Sequence, residues 1–284
     1  MPSRAPRIAA LLLVLAAPAC ARERGEARFA PQVADARGPA QGGYVLSDGS
    51  PPASQPLASP DAPAPAAAAL PDATFREPMP SALDARSPAV TYAALEPSAC
   101  KAEVKRRELP VAAVKSAQRG VALGMRITGA MNGVRLTVPP DSTKFGVLDC
   151  RLALVLDDFT KMLASRGVVG MTVDNFYRPG AKLAGKKKDS QHAHALAIDI
   201  VSFDLADGRR LGTSGWGAAI GEVPCGPEAV MAASSAESVE ARNLVCAIGR
   251  AGLFHTLLTP SFDAAHGSHF HFDIKAETTR FTVR

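Results

Sequence analysis

Five of the six histidines in this 284-residue chain fall into two short clusters. The first is Gln191-His192-Ala193-His194-Ala195-Leu196-Ala197-Ile198-Asp199, the second His266-Gly267-Ser268-His269-Phe270-His271-Phe272-Asp273. Neutral imidazole and carboxylate suit a borderline-soft divalent metal such as zinc. Two separated clusters are what a site needs when different strands or loops converge on one ion. A catalytic zinc keeps three protein ligands and leaves one position open. His192, Asp199 and His271 can supply the three. His269 and His266 then remain for general base work or for stabilising developing negative charge.

The elements that must position these groups follow from the spacing. His192 and Asp199 lie too far apart along an extended strand to share an ion, so a bend over residues 193–196 is required. The second cluster alternates: His269, His271 and Asp273 point one way, and Phe270, Phe272 and Ile274 the other. The Phe face belongs in a core, so the His face must meet a cleft or a metal. Asp273 is expected to orient an imidazole from behind, or to form a strand-end salt bridge. His194 and His255 read as bystanders. Lys186-Lys187-Lys188 reads as a solvated loop, and Trp216 as either a cleft wall or a core anchor.

Around these segments the pattern is mixed. Residues 125–138 suggest a β-hairpin turning at Asn132-Gly133. Leu152, Val155, Leu156, Phe159, Met162 and Leu163 recur at helical spacing before Gly167. Strands are expected over 168–177, 195–203, 253–258 and 269–274, and a helix over 237–250. The class is α+β, with a mostly antiparallel central sheet and packed helices.

Ser190-Gln191-His192-Ala193-His194-Ala195-Leu196-Ala197-Ile198-Asp199 resembles the Ser-x-His-x-x-Gly-x-Ala-x-Asp motif of zinc D-Ala-D-Ala peptidases. His266-x-x-His269-x-His271 resembles the second motif of penicillin-insensitive murein endopeptidases. The order of elements, with Leu258-Thr259-Pro260 through Asp273, is similar to the bacterial extensin-like C-terminal domain family. The resemblance implies a zinc-peptidase-like fold, with His192, Asp199 and His271 as ligands. It places His269 and His266 at the reacting centre, and Arg178 of Tyr177-Arg178 on a substrate carboxylate. The implied function is hydrolysis of peptide bonds in peptidoglycan cross-links or stems of the bacterial cell envelope. The alternative is a non-catalytic, metal-stabilised peptidoglycan-binding module. Two departures stand out. Ala195 occupies the usual glycine position, and Ser268 stands where the carboxypeptidases carry a catalytic Glu, which favours a histidine base. The family usually carries further cysteines, one of them in a Tyr-x-Cys-Arg stretch that is Phe176-Tyr177-Arg178 here.

Arg4 and Arg7, the apolar run from Ile8 to Ala17, and Pro18-Ala19-Cys20 read as an export signal over residues 1–20. Cys20 stands where a lipoprotein carries its lipid, so the product is expected in the periplasm or envelope, lipid-anchored or free. Residues 21–96 are rich in Pro and Ala and are expected to be a disordered linker. The domain is expected over 97–284. Besides Cys20 there are Cys100, Cys150, Cys225 and Cys246, an even set in an exported chain. Proximity favours Cys100–Cys150 and Cys225–Cys246. A net charge of +5 favours anionic or carboxylate-bearing partners. With 5% aromatic residues and no nucleic-acid motif, nucleic acid is not expected. The expected partners are peptidoglycan peptides, with a monomer as the working form.

Overall fold

The computed structural model describes residues 72–230 and 235–284. The export signal, Cys20 and most of the Pro/Ala-rich segment lie outside the described residues. The folded part begins earlier than residue 97, which corrects the expected linker boundary. Thr74–Arg76 forms a 3-10 turn, and α1 (Pro88–Ala93) starts on proline. Phe75 is fully buried, and its amide N–H donates to Asn243 Oδ1 at 2.8 Å. Leu83 and Ala89 are also buried. These few apolar anchors are diluted in a Pro/Ala composition, so averaging over the segment hid them.

The chain continues through α2 (Pro97–Arg106), β1 (Val111–Ala113), β2 (Gly124–Ile127), β3 (Arg135–Thr137) and β4 (Leu148–Asp149). Next come α3 (Cys150–Ala164), β5 (Val168–Asn175), β6 (Ala197–Leu205) and β7 (Arg210–Gly212). The last elements are α4 (Ala236–Arg250), β8 (Thr256–Leu258), β9 (Phe270–Asp273) and β10 (Thr282–Val283). The two long helices begin at side-chain caps, which satisfy amides that helix geometry leaves orphaned. Asp149 accepts from the N–H of Arg151, and Ser235 from that of Ser238. Among the described residues no helix is long and apolar enough to cross a membrane.

A three-stranded sheet runs β1-β2-β4, and a seven-stranded one runs β10-β8-β9-β6-β5-β3 with β7 beside β6. Most pairs of the larger sheet are antiparallel; β3–β5 and β8–β10 are parallel. The fold is therefore α+β. Its central face is closed by α3, whose Phe159 meets Phe203, Phe254 and Phe272 edge-on at centroid distances of 6.4, 5.3 and 6.3 Å. Such edge-to-face pairs add to simple area burial.

The expected hairpin is only half right. Asn132 and Gly133 do take positive φ, 50° and 82°, and Met131 and Val134 exchange backbone hydrogen bonds across the turn. The flanking strands, however, belong to different sheets: β2 pairs with β1 and β4, and β3 with β5. The turn is docked onto α3, where Asn132 Nδ2 donates to the Asp157 carbonyl, Asp157 Oδ1 and Thr160 Oγ1, each at 2.9 Å. Local chemistry set the turn, and docking sent its arms apart.

Cys100 is bonded to Cys150 and Cys225 to Cys246, with Cα separations of 6.1 and 5.6 Å. The first ties α2 to the start of α3. Bonds of this kind persist in oxidising compartments.

Candidate metal centre

The register of the large sheet builds the site. Asn175 on β5 pairs with Asp199 on β6, which pairs with His271 on β9. Three polar side chains thus sit in one row across three strands, on the face opposite the Phe core. Two register slips produce this row. Pairing steps from Thr172↔Ser202 to Val173↔Ile200, so Val201 has no partner, and from there to Asn175↔Asp199, so Asp174 has none. Bulges of this kind re-aim side chains. Here they let Phe203 and Leu205 stay buried beyond Val201 while Asp199 turns away from that core.

His192 reaches the row from a 3-10 turn, Gln191–His194, capped by Ser190, whose hydroxyl accepts from the His192 N–H. The required bend is at Ala195, with φ 54° and ψ 31°. This left-handed conformation costs an L-residue about 1 kcal/mol, which is why glycine suits the position. Ala195 is fully buried and packs with Val147 and Tyr177.

Three ligand atoms converge. His192 Nε2 lies 3.0 Å from both Asp199 Oδ1 and His271 Nδ1, and the last two are 2.9 Å apart. All three residues are buried. The opposite edges of the rings fix the tautomers. His192 Nδ1–H donates to the Phe176 carbonyl at 3.0 Å, which leaves Nε2 with a lone pair. His271 Nε2 faces Asp273 Oδ2 at 3.3 Å, which leaves Nδ1 as the inward atom. A carboxylate behind a ligating imidazole raises its basicity and orients its ring. Asp273 Oδ1 also lies 3.3 Å from Lys275 Nζ, so the orienting and salt-bridge readings of Asp273 both hold. Asp199 Oδ2 accepts from Asn175 Nδ2 at 3.0 Å, which directs Oδ1 to the centre.

Three acceptor atoms packed this closely could hold a metal ion. Tetrahedral zinc with bonds of about 2.0–2.1 Å separates its ligand atoms by roughly 3.3 Å, only a few tenths more than observed. The donor set fits a metal of this type, and His192, Asp199 and His271 are the residues that would hold it. Without a metal, a proton plays that part. Burial pushes the His271 pKa down, but its hydrogen bonds to Asp199 and Asp273 outweigh burial and lift it to about 9. Burial lowers the pKa of His192. Burial would raise that of Asp199, but its bonds to His192 and His271 hold it far below the usual carboxylate range.

The row opens onto a cleft of about 1930 Å³ whose lining includes Arg178, Lys182, Phe262, His266, His269 and His271. Clefts of about 300–1,000 Å³ hold small drug-sized ligands, so this one has room for a peptide. His269 Nε2 is 3.6 Å from Asp199 Oδ1, and burial lowers the His269 pKa. Arg178, about half exposed, stands 3.7 Å from Asp199 Oδ2. His266 lies with its ring centroid 5.2 Å from that of His269. All six candidate residues therefore surround one point.

The expected bystanders make other contacts, although His194, Lys186 and Lys188 line the same cleft. His194 Nδ1 bonds the Gly120 carbonyl at 2.9 Å. His255 is buried between the Lys275 N–H and the Thr278 carbonyl. Trp216 is a core anchor, 5.3 Å from the Phe270 ring, with Nε1–H donating to Ser261 Oγ at 2.7 Å. Lys186, Lys187 and Lys188 are exposed. Sequence reasoning missed Asn175 and Asp263. The only signal for Asp263 was its place three residues before His266; Asn175 gave none, because its role arises from cross-strand register.

A family model described as extensin-like protein C-terminus matches residues 98–283. The chain belongs to that family. The extensin-like match spans both histidine clusters and all four cysteines of the two disulfides. No curated protein and no solved structure matched the chain.

Proposed function

We propose that this extensin-like domain is a zinc-dependent peptidase of the bacterial cell envelope, cleaving peptide bonds in peptidoglycan cross-links or stems. The observation that carries the reading is the buried His192–Asp199–His271 trio, whose lone pairs converge beside a peptide-sized cleft. When bound, zinc supplies Lewis-acid activation of water and of a carbonyl.

The chain's own groups supply the rest. His269, kept neutral at pH 7 by burial, can accept a proton at Nε2 next to the ligand set. Position 268 is a serine where the carboxypeptidases carry a Glu, so a histidine is assigned this work. Arg178 offers a guanidinium fork to a substrate carboxylate. Lys182, Lys186 and Lys188 line the same cleft and favour an anionic stem peptide. The two disulfides suit an oxidising envelope compartment. The working form is proposed to be a monomer, free in the periplasm or lipid-anchored through Cys20, with no nucleic-acid partner.

The test is digestion of purified sacculi with the zinc-loaded chain, scoring new amino termini by muropeptide profiling. Cleavage that His271→Ala abolishes supports the reading. Zinc bound one-to-one with no new amino termini, together with retention on sacculi, replaces it with the binding module.

A further inference from the structure

His266 is a cleft histidine outside the ligand set whose ring is hydrogen-bonded to a carboxylate. Asp263 Oδ1 lies 2.6 Å from His266 Nδ1, and the same oxygen accepts the His266 backbone N–H at 3.1 Å. The two residues bracket one 3-10 turn, Ala264–His266, with Asp263 as its N-cap. Hydrogen bonding to His266 holds the Asp263 pKa below the usual value although burial opposes it, so the carboxylate is ionised at neutral pH. An ionised carboxylate only accepts. His266 Nδ1 therefore carries the proton, and Nε2 is the nitrogen left to the cleft.

The residues just before this pair are anchored in the core. The Phe262 ring stands edge-on to His266 at 5.2 Å, interplanar angle 74°. Ser261, just before it, is pinned from two sides: its hydroxyl accepts from buried Trp216, and its carbonyl from the Gly221 N–H at 2.6 Å. Trp216 is in turn covered by the Arg242 guanidinium, 5.5 Å above its ring. The Asp263–His266 pair is thus mounted on the core and not on a free loop tip.

We propose that Asp263 is a positioning residue, which locks His266 in the Nδ1–H tautomer and aims Nε2 into the cleft beside the metal centre. His266 and His269 then differ in kind. His269 Nδ1 meets the Ser268 hydroxyl at 3.3 Å, and its Nε2 stands 3.6 Å from Asp199 Oδ1, beyond hydrogen-bond distance. The use of the pair in turnover rests on the peptidase reading; the tautomer does not.

Long-range 1H–15N NMR on the zinc-loaded chain reads the His266 tautomer directly, assigned with His266→Gln. The wild type should show the proton on Nδ1. Asp263→Ala should abolish that preference while zinc content stays one per chain. Asp263→Asn, which keeps an acceptor oxygen and a good helix cap, should retain much of it and guards against a folding defect in the alanine variant. A wild-type His266 protonated on Nε2, or an alanine spectrum unchanged from wild type, overturns the proposal. In the muropeptide assay Asp263→Ala should lower kcat about tenfold or more with little change in KM, a part of what a positioned acid or base contributes. A wild type that binds zinc but cleaves nothing counts against the peptidase reading and leaves the tautomer result standing.

Discussion

Two polar clusters in this molecule look alike on paper and differ in kind. One surrounds Arg107. Its guanidinium donates to Glu103 at 2.7 Å, Asp157 at 2.9 Å, Asp158 at 3.1 Å and the Tyr92 hydroxyl at 2.6 Å. Lys161 and Asn132 add donors to Asp157, at 2.7 and 2.9 Å, and Tyr92 donates to Asp158 at 2.6 Å. Each carboxylate there meets a cation. The other cluster is His192, Asp199 and His271, three acceptors aimed at one another with their outer edges already bonded to Phe176, Asn175 and Asp273. The first completes itself and clamps α1 and α2 onto α3. The second could hold a metal ion, and without one a proton on His271 takes that place. What sets the second apart from the first is this convergence of ligand atoms on one point, not the number of charged residues.

The comparison can be broken most sharply at the ligands. Asp199→Ala or His271→Ala should reduce bound zinc from one per chain to near zero by metal analysis. Asp157→Ala should leave it at one. Equal metal content in all three would erase the distinction. Next in size, chelation should destabilise the wild type, because an ion that binds only the native state stabilises it. With free zinc about a thousandfold above Kd the gain is roughly 4 kcal/mol, or a Tm change on the order of 10 °C for a domain of this size. His192→Ala should show no such response to chelator by differential scanning calorimetry.

The two clusters should also part company in their pH dependence. The metal-free His271 pKa is raised from 6.5 to about 9. Its contribution to stability is therefore complete below about pH 6.5 and is lost as pH rises through about 9. Asp157 runs the other way. Burial would raise its pKa, but bonds from Lys161, Asn132 and Arg107 lower it, so its contribution is present above the ordinary value of 3.8 and is lost as pH falls through the lower folded value. Denaturant titrations of the apo chain between pH 6 and 10 should show a decline that His271→Gln removes. Asp157→Ala should cost about 2 kcal/mol at pH 7 and leave that alkaline decline in place. The smallest effect is expected at Ala195. Glycine there relieves about 1 kcal/mol of left-handed strain but empties a buried methyl contact worth about 0.8 kcal/mol. Ala195→Gly should therefore shift stability by less than about 1 kcal/mol and leave zinc content unchanged.

Much of this was legible in the chain. The alternation of β9 announced which face carried the imidazoles, because side-chain direction in a strand is fixed by parity. The need for a bend before Asp199 followed from its distance from His192, and the long helices from apolar spacing. Other features depended on partners that no local pattern names. The Asn132-Gly133 turn formed as its residues demand, yet its arms joined different sheets because the turn bonds to α3. The segment from 72 to 96 folded because Phe75 found Asn243 and Arg242 far along the chain.

By itself, then, the sequence determined the residue types for a candidate metal centre, the strand parity that presents them, and a cysteine set whose nearest neighbours pair. Those are properties of short stretches, set by backbone geometry and side-chain chemistry. Only the tertiary structure decided that the lone pairs meet within 3.0 Å, that two bulges place Asn175 against Asp199, and that Asp263 holds His266. Each of these depends on register and docking between segments distant in the chain, and a one-residue slip in register would have turned Asp199 into the core.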